Sequence, residues 1–240
     1  MTSAGVTDKG KVRGHNEDSF LDAPQNALWV VADGMGGHTA GDLASKMIVE
    51  RLGKVAAPGE PSAFMDVVDT ELAAVNEDLR KHAKERNVSL IGATVVALLG
   101  AKDYFMCGWA GDSRAYRFRE GQLQQISRDH STAQEMMDTG QFDANALQAA
   151  KPNANTITRA VGGEAKLFLD WVLAAYEPGT QFLLCSDGLT KEMSDAQIAE
   201  QFKKGMPPDV LANSLVKAAL DAGGRDNVTA VIVRVEGEKK

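Results

Sequence analysis

The chain of 240 residues holds only two cysteines. Cys107 lies in Tyr104-Phe105-Met106-Cys107 and Cys185 in Phe182-Leu183-Leu184-Cys185. Two thiols in apolar runs exclude a disulfide framework and read as reduced core residues, so a reducing, cytoplasmic setting is expected. The four histidines, His15, His38, His82 and His130, are too scattered along the chain to make a zinc site with these cysteines. Positive charge is also short: 26 Lys and Arg against 33 Asp and Glu give a net charge of −7. That argues against a nucleic-acid groove or an anionic membrane surface as the main partner. No long hydrophobic run exists. The best stretch, 90–101, is too short to span a bilayer and contains Thr94. The start, Met1-Thr2-Ser3-Ala4-Gly5, opens into polar sequence and lacks the apolar core of a signal peptide. No repeat, low-complexity tract or linker is visible.

What is present is the composition of a globular protein, 44% apolar and 25% charged. A chain of this length buries roughly 70–75% of its unfolded surface and needs no staple merely to fold. One domain is expected over 1–240, ordered from about 5 to 235 with a loose tail at 236–240. Short runs at 27–32, 93–99, 104–109, 115–119, 170–175, 181–185 and 228–235 are rich in Val, Leu, Phe and Trp and are bounded by Gly, Asp or Pro, which predicts strands. Within 228–235 the residues alternate, with Val228, Ala230, Ile232 and Arg234 on one side and Thr229, Val231, Val233 and Val235 on the other. Phe64, Val68, Leu72, Val75 and Leu79 recur at helical spacing within 61–87, and a second helix is expected near 42–52. Ser194 and Gln197 form a capping-box pattern that opens a helix with Ile198 and Phe202 inward; Pro207-Pro208 starts another carrying Leu211, Leu215 and Ala218. Strands come in clusters and helices in two groups, which predicts an α+β fold of antiparallel sheets covered by helices.

The chemistry sits at strand ends. Apolar runs lead into Asp33-Gly34, Gly111-Asp112-Ser113 and Ser186-Asp187-Gly188, Asp226-Asn227 precedes a strand, and Arg13-Gly14-His15-Asn16-Glu17-Asp18 adds a fifth acidic site. Taken alone, each reads first as an ordinary Asp turn at a strand end. If these strand ends share one edge, their carboxylates converge and repel unless cations fill the cluster. All-oxygen ligands favour Mg²⁺ or Mn²⁺. Two hard cations form a phosphoryl-transfer device, and Arg13 is the candidate for the phosphate, the alternative being a salt bridge to Glu17 or Asp18.

These motifs, with Asp33-Gly34-Met35-Gly36-Gly37-His38, Gly111-Asp112-Ser113-Arg114, Asp129-His130-Ser131, Thr158-Arg159-Ala160-Val161-Gly162, Ser186-Asp187-Gly188-Leu189 and Asp226-Asn227-Val228-Thr229, stand in an order and spacing that resemble the metal-dependent serine/threonine protein phosphatases of type 2C. Each motif is weak alone; the ordered set is specific and spans 5–235. The resemblance implies two antiparallel β-sheets packed face to face and flanked by pairs of helices, a four-layer αββα sandwich with a metal centre at one edge. It implies that Asp33 bridges two Mn²⁺ or Mg²⁺ ions, with the Gly34 carbonyl a further ligand. Asp187 and Asp226 complete the first metal, and Glu17 and Asp18 hold the second largely through waters. Asp112 with Asp187 matches a third-metal site of bacterial relatives. Arg13 takes the substrate phosphate and Asn227 supports the site. The implied reaction is attack of a metal-bridging hydroxide on phosphoserine or phosphothreonine of a protein, without a phospho-enzyme, opposing a bacterial kinase. A monomer is the default expectation.

The chain departs from the animal pattern in having Met35 where a histidine follows Asp-Gly. His38 is read as a residue beside the site rather than the proton donor. The polar stretch 131–160 matches the flap beside the active site and is expected to shape substrate choice; the alternative is an ordinary surface loop with one short helix at 133–138. A cysteine phosphatase is excluded, because Cys107 reaches Arg114 only after six residues and Cys185 reaches Lys191. A phospho-sensor that has lost catalysis and a small-molecule phosphomonoesterase remain as alternatives.

Overall fold

In the computed structural model, which describes residues 1–36, 40–57, 59–101, 104–140 and 156–236, the apolar runs pair into two antiparallel sheets. The strands are β1 (Thr2–Asp8), β2 (Asp18–Ala23), β3 (Leu28–Met35), β4 (Gly92–Ala93), β5 (Val95–Gly100), β6 (Tyr104–Ala110), β7 (Arg114–Arg119), β8 (Gln122–Gln125), β9 (Asp170–Ala175), β10 (Gln181–Cys185) and β11 (Val228–Arg234). The helices are α1 (Ala40–Leu52), α2 (Pro61–Glu85), α3 (Thr132–Asp138), α4 (Asp187–Thr190), α5 (Asp195–Lys203) and α6 (Pro208–Ala222). One sheet runs β1-β11-β10-β7-β8; the other runs β2-β3-β5-β6-β9, with β4 beside β3.

Period-two alternation sorts the side chains into three apolar layers. Trp29, Val31, Val96, Leu98, Phe105, Phe182, Leu184, Val231 and Val233 fill the space between the sheets. Val30, Val95, Ala97 and Leu99 face the other way, against Ile48, Phe64, Val68, Leu72 and Leu79 of α1 and α2. Leu183, Val228, Ala230 and Ile232 meet Ile198, Phe202, Leu211 and Leu215 of α5 and α6. This is the expected αββα sandwich. Both faces of β11 are buried, so its alternation separates two cores rather than core from solvent. Cys107 and Cys185 are buried free thiols, each pushed up to about 12 by desolvation.

The predicted helices form, and the capping box at Ser194 is complete, with Ser194 accepting from the Gln197 N–H and the Gln197 side chain accepting from the Ser194 N–H. Three strands lie outside the sequence reading: β1, β2 and β8. β1 begins at Thr2 and pairs with β11 along its whole length, so order starts earlier than residue 5. The run 93–99 is broken at Thr94, and the strand at 27–32 continues through Asp33 to Met35.

Candidate metal centre

Antiparallel pairing brings the acid-bearing strand ends to one edge of the sandwich. Asp18 opens β2 opposite Asp33 of β3, and Cys185 at the end of β10 lies opposite Ala230 near the start of β11. The turn after β6 carries Asp112, α4 begins on Asp187, and Asp226 precedes β11. Asp33 therefore sits inside its strand and Asp187 on the first turn of a helix, not in Asp-Gly turns. The backbone packs tightly behind them. A Cβ on Gly34 would lie 2.1 Å from the Gly41 carbonyl, and one on Gly188 would lie 1.9 Å from the Asn227 carbonyl.

The buried Asp18 carboxylate spends Oδ2 on the hydroxyls of Ser186 (2.7 Å) and Thr229 (2.6 Å). Three buried carboxylate oxygens have no partner among the described residues: Oδ1 of Asp18, of Asp112 and of Asp187. A buried anionic oxygen without a donor is costly, so these three call for a cation. The electrostatics agree. Burial, reinforced by Asp187 and Asp226, pushes Asp18 up to about 7 against its hydrogen bonds from Thr229 and Ser186. Burial and Asp187 push Asp112 up to about 7 as well. Asp33 is raised well above the ordinary range by burial and by Asp18, Asp187, Asp112 and Asp226. Asp187 is raised too, chiefly by burial and only partly relieved by Lys191. Asp226 goes the other way, because Lys191 and Arg13 outweigh its burial. Neighbouring carboxylates that disfavour one another's charge are the electrostatic counterpart of a divalent-cation site.

Arg13 does not stand free for a phosphate. Its Nε lies 2.8 Å from Asp226 Oδ1, and its Nη2 donates to Asp226 Oδ2 at 2.9 Å. The ion-pair alternative is thus the arrangement observed, with Asp226 in place of Glu17 or Asp18. Asn227 accepts from the Glu17 N–H and donates to the carbonyls of Lys9 and His15, which fastens the Arg13–Asp18 loop to the end of the other sheet. Glu17 is placed beside the start of α1, its carboxyl carbon 2.9 Å from where a Cβ on Gly41 would stand, and its carbonyl accepts from the Gly34 N–H. The structure thus brings together Asp18, Asp33, Asp112, Asp187, Asp226 and Arg13. Among the described residues no three His, Cys, Asp or Glu side chains are already gathered tightly enough to ligate one ion directly; Asp187 and Asp226 are turned instead onto Lys191 and Arg13. His38 lies outside the described residues.

The supporting roles of five residues escaped the sequence reading. Thr94 donates its N–H to the Asp33 carbonyl, and its hydroxyl bonds Ser113 at 2.6 Å and accepts from the Asp33 N–H at 3.3 Å. Gly111 has φ +117° and a Cβ there would strike Thr94, so only glycine fits. Ser186 and Thr229 hold Asp18. His130 receives the Gly111 N–H on Nδ1, faces Asp170 through Nε2 and stacks on Trp109. Ser186, next to Asp187, and Thr94, alone in an apolar run, were the only local signals.

The chain matches the sequence model of the protein phosphatase 2C family over residues 11–221. It is 32% identical over 237 residues to the serine/threonine phosphatase stp of Listeria innocua, covering 95% of this chain and 93% of that one. Among solved structures, it resembles PppA, a regulatory component of the T6SS in Pseudomonas aeruginosa, at 43% identity and TM-score 0.89, over 97% of this chain and 96% of that one. It also resembles the catalytic domain of the serine/threonine phosphatase PstP in complex with two manganese ions, at 31% identity and TM-score 0.86 over 98% of each chain. With the αββα sandwich and the carboxylate edge already in place, these matches settle the family: the chain belongs to the protein phosphatase 2C family and is a metal-dependent serine/threonine protein phosphatase.

Proposed function

We propose that the carboxylate edge is the catalytic centre and that its roles divide as follows. Asp33 and the Gly34 carbonyl would help to hold two divalent cations. Asp187 and Asp226 would complete one of them, and Glu17 and Asp18 would hold the other. Asp112 with Asp187 offers a third position. The observation that carries this reading is the set of unpartnered buried oxygens on Asp18, Asp112 and Asp187. When bound, Mn²⁺ or Mg²⁺ supplies Lewis acidity toward the phosphate and the attacking water. The chain's own work is to hold these oxygens in place. Asp18 is oriented by Ser186 and Thr229, and Asp33 by Thr94. Arg13, half-exposed on Asp226, is within reach of the same edge, and its fork suits the phosphate oxygens once it exchanges that carboxylate for them.

In this reading residues 1–240 form one catalytic domain that acts on phosphoserine and phosphothreonine of proteins and opposes a serine/threonine kinase. It works as a monomer in the cytoplasm. Among the described residues no helix is long and apolar enough to cross a membrane. The deciding experiment is phosphate release from a phosphothreonine peptide over a Mn²⁺ titration, with wild type and the Asp33→Asn, Asp187→Asn and Asp226→Asn variants. Release should require the metal. Each variant should lose more than the roughly 10–100-fold typical of removing a group behind a metal ligand. Full turnover by a folded Asp187→Asn protein would remove that residue from the ligand set.

A further inference from the structure

Lys191 is the residue that ends α4, one turn after Asp187. Its Nζ lies 2.5 Å from Asp187 Oδ2 and 3.0 Å from Asp226 Oδ2. It thus bridges two of the carboxylates assigned to the metal, one on each side. Both oxygens of Asp226 face a cationic side chain, because Arg13 holds it as well. An ammonium is a compact point charge with three donors, so it occupies the lone pairs that a divalent ion needs. A Mg²⁺-like ion must approach such oxygens to about 2.0–2.1 Å. Asp187 Oδ2 and both oxygens of Asp226 thus already face a cationic side chain, and of the four oxygens only Asp187 Oδ1 is unpartnered. Beside Lys191 lies a cavity of about 340 Å³, lined also by Asp112, Ser131 and the Arg114–Asp129 ion pair; Asp112 Oδ1 and the Ser131 hydroxyl are its acceptors for a displaced ammonium.

We propose that Lys191 is an internal competitor for the metal: its ammonium and a divalent cation contend for the carboxylates of Asp187 and Asp226, and metal entry moves the lysine aside. The residue thereby weakens metal affinity while it neutralises the carboxylate edge in the protein without metal. This rests on the assignment of Asp187 and Asp226 as ligands.

The test is calorimetric titration of Mn²⁺ into the metal-stripped full chain, with wild type, Lys191→Met and Asp226→Asn, and Lys191→Gln should the methionine variant not fold. Lys191→Met should tighten at least one Mn²⁺ step by about tenfold, the loss of two partly exposed ion pairs to one cation. The difference should persist in about 1 M NaCl, where the screening length is only about 3 Å. The melting temperature without metal should fall in Lys191→Met, and the rise on adding Mn²⁺ should be larger than in wild type. Unchanged or weaker Mn²⁺ binding in Lys191→Met, or a gain that vanishes at high salt, overturns the competition. A wild type that binds no Mn²⁺, or an Asp226→Asn protein that binds it as wild type does, overturns the ligand assignment itself.

Discussion

Asp18 is buried, yet only one of its oxygens is satisfied, by two hydroxyls from the opposite sheet. Such a residue is held for what its other oxygen meets. Removing one hydroxyl separates the two tasks. Thr229→Val keeps shape and deletes a donor, leaving a buried carboxylate with less support, at a cost of about 1–3 kcal/mol. For a chain of this size that lowers the melting temperature by roughly 2–4 °C per kcal/mol. Mn²⁺ affinity should fall with it, because Asp18 loses its orientation; thermal melts and calorimetry on the same samples check both. Asp187→Asn is the contrasting change. It removes one charge from a group of mutually repelling acids, so the metal-stripped protein should melt no lower than wild type while activity collapses. A lower melting point in that variant would show that Asp187 supports the fold through its contact with Lys191 rather than straining it.

At the scale of elements, α4 converts a strand end into a site. Its second residue, Gly188, packs against the Asn227 carbonyl, so α4 and the loop before β11 meet backbone to backbone. Gly188→Ala forces that carbonyl away. Overpacking of this kind costs roughly 1–3 kcal/mol, and because Asp187 and Asp226 sit on the two elements being separated, Mn²⁺ affinity should drop in parallel with the melting temperature. A variant that melts early but binds Mn²⁺ normally would show that the two elements adjust independently. The same junction explains what the sequence could and could not tell. Buried strands such as β5, β6 and β10 announce themselves as unbroken apolar runs. β1 and β8, with sequences Thr2–Asp8 and Gln122–Gln125, lie at sheet edges and carry polar residues there, so no periodicity marked them. Asp33, Asp112, Asp187 and Asp226 were legible because each borders an apolar run, although the strand of Asp33 continues to Met35 and that of Asp18 carried no such mark. Lys191, Thr94, Ser186 and Thr229 were not, because their roles arise from which strands become neighbours. Nothing local distinguishes Lys191 from any solvated lysine on a helix. The Arg13–Asp226 pair, 213 residues apart, is likewise a product of topology.

For the whole molecule, the carboxylate edge ties stability to both pH and metal. Asp18 and Asp112 are pushed up to about 7 from 3.8, so between those values the folded chain binds more protons at these positions than the unfolded chain does. Stability then changes with pH in proportion to the protons bound unfolded minus those bound folded, a negative difference here, so this contribution falls as pH rises from about 4 to 7. Asp226, lowered by Lys191 and Arg13, opposes it only near and below its ordinary range. The metal-stripped protein should therefore melt higher at pH 5.5 than at pH 7.5, the reverse of a protein whose acids are all paired. Divalent cations change the sign, because they bind the ionised form. At about 100 times the dissociation constant, one bound ion adds about 2.7 kcal/mol, or roughly 5–10 °C for a chain of this length. Saturating Mn²⁺ should lift the melting point at pH 7.5 by at least that much and do little at pH 5.5, where protons hold the same oxygens. Melting curves at the two pH values, with and without Mn²⁺, give four temperatures. If the pH 5.5 sample without metal melts below the pH 7.5 sample, the acids at this edge are satisfied by the chain itself; Lys191 and Arg13 would then suffice as counter-ions, and the metal would bind against a preformed set of ion pairs rather than relieve a repulsion.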